Sequence, residues 1–173
     1  MIEPKFNTFW PRFWAGCIDT LVIYPFISFI HNWLITLSLP IPLFILWSVF
    51  SNCSYVLYNV FLHGMYGQTL GKRLMKVIVL DVNENKISFR HAILRDIVSI
   101  VIIILAFIPE VPLILKGVDP IQQYSKGNLP WYYWAMTLSM FGWFMVELIT
   151  MLSNNKRRAL HDFIAGTIVI RKS

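Results

Sequence analysis

Arg12, Asp19, Asp96, Glu147 and Asp162 are charged side chains in or beside long apolar runs, and Asn59 is an amide in a similar setting. An ionised carboxylate in hydrocarbon is costly, so such groups are expected to face a partner, a water-filled cavity or a bound ion rather than lipid. Arg12 and Asp19 are seven residues apart in sequence. At about 100° per residue, that spacing puts both on one helix face. One chemistry open to the cluster is exchange of a proton or cation. Two carboxylates in low dielectric do not both stay charged without a partner, so one acquires the raised pKa that a proton relay uses. The other reading is structural: Arg12 pairs with Asp19 or Asp162, Glu147 bonds a neighbouring helix or is protonated, and the charges fix helix packing. The residues alone leave both open.

The elements that must position these groups follow from hydropathy. Apolar residues make up 57% of the 173-residue chain and charged ones only 14%, with aromatic residues at 16%. With a mean hydropathy of +0.60, this is a single-domain membrane composition. The expected fold is an all-α bundle of four transmembrane helices, at about 12–37, 42–62, 91–108 and 131–152. Phe9, Trp10, Phe13 and Trp14, and again Trp131 to Trp134, read as interfacial belts. Pro25 is expected to kink the first helix, and Pro109 and Pro112 to end the third. Asn52, Ser54 and Asn59 are expected to bond between helices.

Residues 64–90 form the main polar connection. Its start reads as a basic amphipathic segment on the membrane surface, followed by two short strands at 76–82 and 86–89 around the Asn83–Asn85 turn. The tail, 153–173, reads as a basic short helix, Gly166 and a strand. Each even helix is thus followed by a basic segment and a β-rich stretch, a weak internal repeat. The tail strand is predicted to pair with 76–82 into a small cytoplasmic sheet, which would hold Asp162 near Arg12.

The net charge of +6 is distributed unevenly. Only Lys116 and Lys126 fall in the outer turns, so both termini and the middle connection are expected in the cytoplasm. The charge is then a topology and anionic-lipid signal, and nucleic acid is not an expected partner. In that orientation Asp19 lies roughly 10 Å deep and Glu147 roughly 9 Å, with Asn59 and Asp96 shallower on the same side. Arg12 and Asp162 are placed at the surface below them, and the outer half offers only His31 and Asn32.

Other chemistries are weakly supported. Gly71-Lys72 lacks the phosphate-loop pattern, which needs a glycine at Tyr66 and Ser or Thr at Arg73. His161-Asp162 has no second His or Cys nearby to hold a metal. Cys17 and Cys53 lie in apolar runs and read as small hydrophobes. No cofactor, enzymatic site or cleavable leader is expected.

Three blocks remain: Arg12-Phe-Trp-Ala-Gly-Cys-Ile-Asp19, the run from Gly67-Gln-Thr-Leu-Gly-Lys-Arg to Asp81, and Leu160-His-Asp-Phe-Ile-Ala-Gly-Thr-Ile-Val169. In this order, over almost the whole chain, they resemble the RDD family of small bacterial membrane proteins, named for one arginine and two aspartates. The resemblance puts those residues at Arg12, Asp19 and Asp162; Glu147 and the loop before the fourth helix lie outside its pattern. It implies an inner-membrane, multi-pass protein connected with transport, and some members are considered sodium/proton antiporters. On that expectation Asp19 carries Na+ or H+, Arg12 and Asp162 form a cytoplasmic gate, and Glu147, Asp96 and Asn59 line the path. Four helices are few for alternating access, so a homo-oligomer is expected. The alternative is a non-transporting anchor or regulatory partner of another complex.

Overall fold

Aromatic residues and Pro11 start the first long helix. In the computed structural model, which describes residues 3–37, 39–125 and 129–172, helix α1 spans Phe9–Thr36. It begins three residues before the expected boundary, because Pro11 fits a first helical turn whose N–H groups have no partner anyway. The helix continues through Pro25. Helix α2 spans Ile41–Tyr66 and stops at Gly67, whose φ of +70° is open to glycine at little cost. A short helix α3, Leu70–Leu74, leads into strand β1, Val77–Asp81.

Ser88 then starts helix α4, Phe89–Phe107. The expected second strand at 86–89 does not form: Lys86 makes one bridge to Leu80, and the backbone turns into the helix at Phe89. Helix α4 ends beside Pro109, within one residue of the expected boundary, but the apolar rod continues to Leu115. Pro109 and Pro112 occupy the first turns of a 3-10 segment, Ile108–Glu110, and of helix α5, Val111–Leu115, where a missing N–H is harmless. Helix α6, Pro120–Ser125, follows, and α7 spans Trp131–Leu152 as the sequence indicates. Lys126 lies outside the described residues. The tail forms helix α8, Leu160–Ile164, and strand β2, Thr167–Arg171.

Four helical stretches, 4–36, 41–66, 89–115 and 131–152, are long and apolar enough to cross a membrane. Few of their side chains are buried; Leu21, Phe29 and Trp131 are among the most exposed. Where the surroundings are as apolar as the side chains, burial cannot hold helices together, and close packing and polar contacts must do so. Against expectation, Asn52 and Ser54 each donate to a carbonyl of their own helix, as Ser51 does.

The predicted sheet is present. β1 and β2 pair antiparallel, with Val79 opposite Val169. Val77, Val79, Ile87 and Val169 form a small dry core, with Met75 packed against it. Arg171 donates from Nε to the carbonyl of Asn7 at 2.8 Å, which ties the N-terminal arm to the sheet. Both chain ends, α3, α8 and the sheet therefore share one end of the bundle, called here the basic end.

Among the described glycines, Gly71 marks the tightest approach, that of α3 to α1. A Cβ at Gly71 would sit 2.1 Å from the carbonyl oxygen of Ala15. Backbone cannot yield as a side-chain tip can. Gly71→Ala is expected to lower stability by about 2 kcal/mol through overpacking, read as a fall in melting temperature of the detergent-solubilised protein. An unchanged melt would show that α3 shifts freely.

Candidate functional site

Two polar assemblies meet at the basic end. The first is built on Asp19, from the middle of α1. Its Oδ1 accepts from the Tyr58 hydroxyl of α2 at 2.7 Å and from the Gly71 backbone N–H at 2.7 Å. Its Oδ2 accepts from the Thr69 hydroxyl at 2.5 Å. Tyr58 in turn accepts from the Leu70 N–H at 3.0 Å. Asp19 thus binds the orphan donors at the start of α3, and the absent Cβ of Gly71 lets those donors reach it. One buried carboxylate fastens α1, α2 and α3 together.

The second assembly is built on Asp162, in α8. Arg12 Nη1 lies 2.7 Å from its Oδ2 and Arg95 Nη1 lies 2.5 Å from its Oδ1. The Ala159 N–H donates to Oδ2 at 2.9 Å and the Thr167 hydroxyl to Oδ1 at 3.3 Å. The sequence placed Arg12 and Asp162 at the surface. Instead the Arg12 side chain is 8% exposed and that of Asp162 is 0% exposed, because the sheet and α8 close over them. Burial by itself would raise the carboxyl pKa of Asp162. Arg12 and Arg95 outweigh it and hold that carboxyl far below the usual range.

His161 joins this pair to α7. Arg12 Nη2 donates to its Nε2 at 3.1 Å and Arg95 Nη2 at 2.9 Å. A guanidinium can only donate, so Nε2 accepts and the neutral ring carries its proton on Nδ1. Nδ1 meets Glu147 Oε2 in a short contact, and the His161 backbone N–H donates to Glu147 Oε1 at 3.1 Å. The result is a continuous chain from Asp162 through two arginines and His161 to Glu147.

Of the residues singled out in the sequence, Arg12, Asp162 and Glu147 are brought together here. Asp19 is not paired with Arg12: the shared face exists, but each side chain finds a different partner. Asn59 is buried, and its carbonyl accepts from His63 Nδ1 at 2.8 Å. Asp96 makes no hydrogen bond or ion pair with a described residue and lies in the field of Arg95, His161 and Lys72. Arg95, His161, Thr69, Tyr58 and Lys72 were not assigned from sequence. Thr69, Lys72 and His161 stand inside the second and third sequence blocks, which was the available signal.

A cavity of about 180 Å³ lies against both assemblies, lined by Arg12, Asp19, Tyr55, Lys72, Glu147 and His161 among others. Two more open along the α1–α2 seam. One of about 60 Å³ includes Tyr24, Ser51, Asn52, Ser54 and Tyr55. One of about 360 Å³ includes Tyr24, Ser28, His31, Asn32, Ser51 and Asn52. Tyr55 is common to the first and second, and Tyr24, Ser51 and Asn52 to the second and third. At the far end, Trp47 Nε1 donates to His31 Nδ1 at 3.1 Å, and His31 Nε2 meets Asp119 Oδ2 at 3.3 Å. The far half is therefore more polar than the sequence indicated, because a loop residue folds back onto the bundle.

A family model described as the RDD family matches residues 6–166. No curated protein and no solved structure matches the chain.

Proposed function

We propose that this chain, which belongs to the RDD family, exchanges a cation, Na+ being the first candidate, for a proton across the bacterial inner membrane. In this reading it is a multi-pass protein with its basic end in the cytoplasm, and a homo-oligomer supplies the mobile surfaces that four helices lack. The observation that carries the reading is the polar seam between α1 and α2: its two cavities share lining residues, and the smaller one shares Tyr55 with the cavity at the basic end. From Arg12 to His31 the seam spans about 28 Å at 1.5 Å per residue, close to the hydrocarbon thickness of a bilayer. An ion shedding water needs polar groups at each depth, and here hydroxyls, amides and a histidine supply them.

Within that path the proton belongs to Glu147 and His161. They share one short contact and line the cavity, and neither is fully closed off. Asp19 is nearer the seam, but its oxygens already accept three hydrogen bonds. Arg12, Arg95 and Asp162 then act as a latch that holds α8 against the cavity.

The test is flux in liposomes holding a pH-sensitive dye, with Na+, Li+ or K+ added outside. Wild type should show cation-dependent proton movement, and Glu147→Gln, incorporated equally, should reduce it about 100-fold or more, the range for loss of a proton-transfer group. A folded wild type that moves no protons would refute exchange. The second reading, a non-transporting anchor, is favoured by one observation: Asp19 and Asp162 are saturated with donors, as structural charges are. On that reading Glu147→Gln has no flux to lose and weakens assembly with the partner complex.

A further inference from the structure

The cavity at the basic end has features that proton exchange does not use. Helix α1 packs on α2 and α3, α7 packs on α4 and α8, and α1 and α7 scarcely touch. A Cβ built at Gly16 would meet nothing within 4 Å. The cavity is therefore a cleft that opens sideways between α1 and α7. Its walls are apolar: Phe13 and Phe144, 41% and 48% exposed, face it with Leu148 and Met151.

Its floor has the opposite character. The carboxylates there are already engaged: Asp19 accepts from three donors, and Glu147 from both the N–H and the ring of His161. Asp162, held by Arg12 and Arg95, and Asp96 do not line the cleft. Lys72 does line it, and its ammonium makes no hydrogen bond and no ion pair with a described residue. An ammonium carries three N–H donors, and leaving them unfilled away from bulk water is costly. Burial, reinforced by repulsion from Arg95 and Arg12 and partly offset by attraction to Asp19 and Asp96, lowers the Lys72 pKa to about 8, so it still holds its charge at neutral pH. The floor offers unused donors beside Arg12 and Arg95 and no unused carboxylate.

We infer that this cleft holds an anionic membrane lipid, its headgroup oxygens on Lys72 and an acyl chain between Phe13 of α1 and Phe144 of α7. A zwitterionic lipid brings its own ammonium towards Lys72 and the two arginines and is disfavoured. The sideways opening lets an acyl chain remain in the bilayer while its headgroup reaches the floor. The assignment is independent of transport, and its test reads binding rather than flux.

Purified full-length protein is titrated with phosphatidylglycerol, phosphatidylethanolamine or inorganic phosphate in neutral detergent, with melting temperature and lipid retained in native mass spectra as readouts. Phosphatidylglycerol should be retained and raise the melting temperature, and phosphatidylethanolamine should do neither. Lys72→Gln should lose that preference by about tenfold or more, the worth of a charged hydrogen bond. Gly16→Leu, which fills open space, should abolish retention without lowering the melting temperature of the lipid-free protein, and it decides the matter even if Lys72→Gln does not fold. Equal retention of the two lipids by wild type overturns the inference. So does retention undiminished in either folded variant, or stabilisation by inorganic phosphate with no lipid retained.

Discussion

Asp162→Asn is expected to destabilise the protein by about 3–5 kcal/mol, the cost of removing one partner from a buried charge pair. Its carboxylate takes four donors and is the counter-ion of two guanidiniums that reach it from separate helices, Arg12 in α1 and Arg95 in α4. An amide of the same size offers one acceptor and leaves two positive charges facing each other in a dry site. The tail should detach, since Asp162 also caps the start of α8. Two readouts check this: a lower melting temperature by tryptophan fluorescence, and new tryptic cleavage at Lys156, Arg157 or Arg158. The pH dependence has a defined sign. Because the folded-state pKa of Asp162 is depressed, its contribution is present above the ordinary value of 3.8 and is lost as pH falls below it. The gap between wild type and variant should thus be full at neutral pH and shrink below about pH 4. A variant as stable as wild type at pH 7 would mean that the sheet alone docks the tail.

Asp19→Asn is expected to cost about 2–3 kcal/mol, as donors that had a charged acceptor lose it. The hydroxyls of Tyr58 and Thr69 can rotate to meet an amide, but the Gly71 N–H is fixed by the backbone and cannot. The loss should appear as a lower melting temperature, together with faster hydrogen exchange at Gly71. Flux separates this role from ion carriage. If the proton resides on Glu147 and His161, folded Asp19→Asn protein keeps cation-dependent proton movement and Glu147→Gln does not. If Asp19 carries the ion, the folded variant is inactive, and the staple is only half of its role.

How much of this was legible varies with the kind of signal. The Trp131–Leu152 helix has the expected boundaries because a long apolar run between an aromatic belt and a polar tail has one solution in a membrane. Pairing of the two β-rich segments followed from their matching positions after α2 and α7, and with it the approach of Asp162 to Arg12. The third long helix ends beside Pro109 as expected, but the continuation of the apolar rod was missed: Pro109 and Pro112 break a helix from within and start the next turn without penalty. The expected strand at 86–89 lost to a serine cap that the β-favouring composition concealed.

By itself, then, the sequence determined the membrane-type class, the four long helices, the two-stranded cap and the family. Each of these rests on local hydropathy, turn chemistry or ordered motifs, which a one-dimensional pattern carries. Only the tertiary structure decided that Asp19 serves the start of α3, that Arg95 joins Arg12 on Asp162, and that His161 links this pair to Glu147. Apart from His161 and Glu147, those partners stand at least 50 residues apart along the chain. Periodicity states which face a side chain occupies but not which neighbour arrives there. A buried charge accepts whichever donors the packed helices deliver, and that choice is made only when the helices, the short α3 and α8 and the sheet close around it.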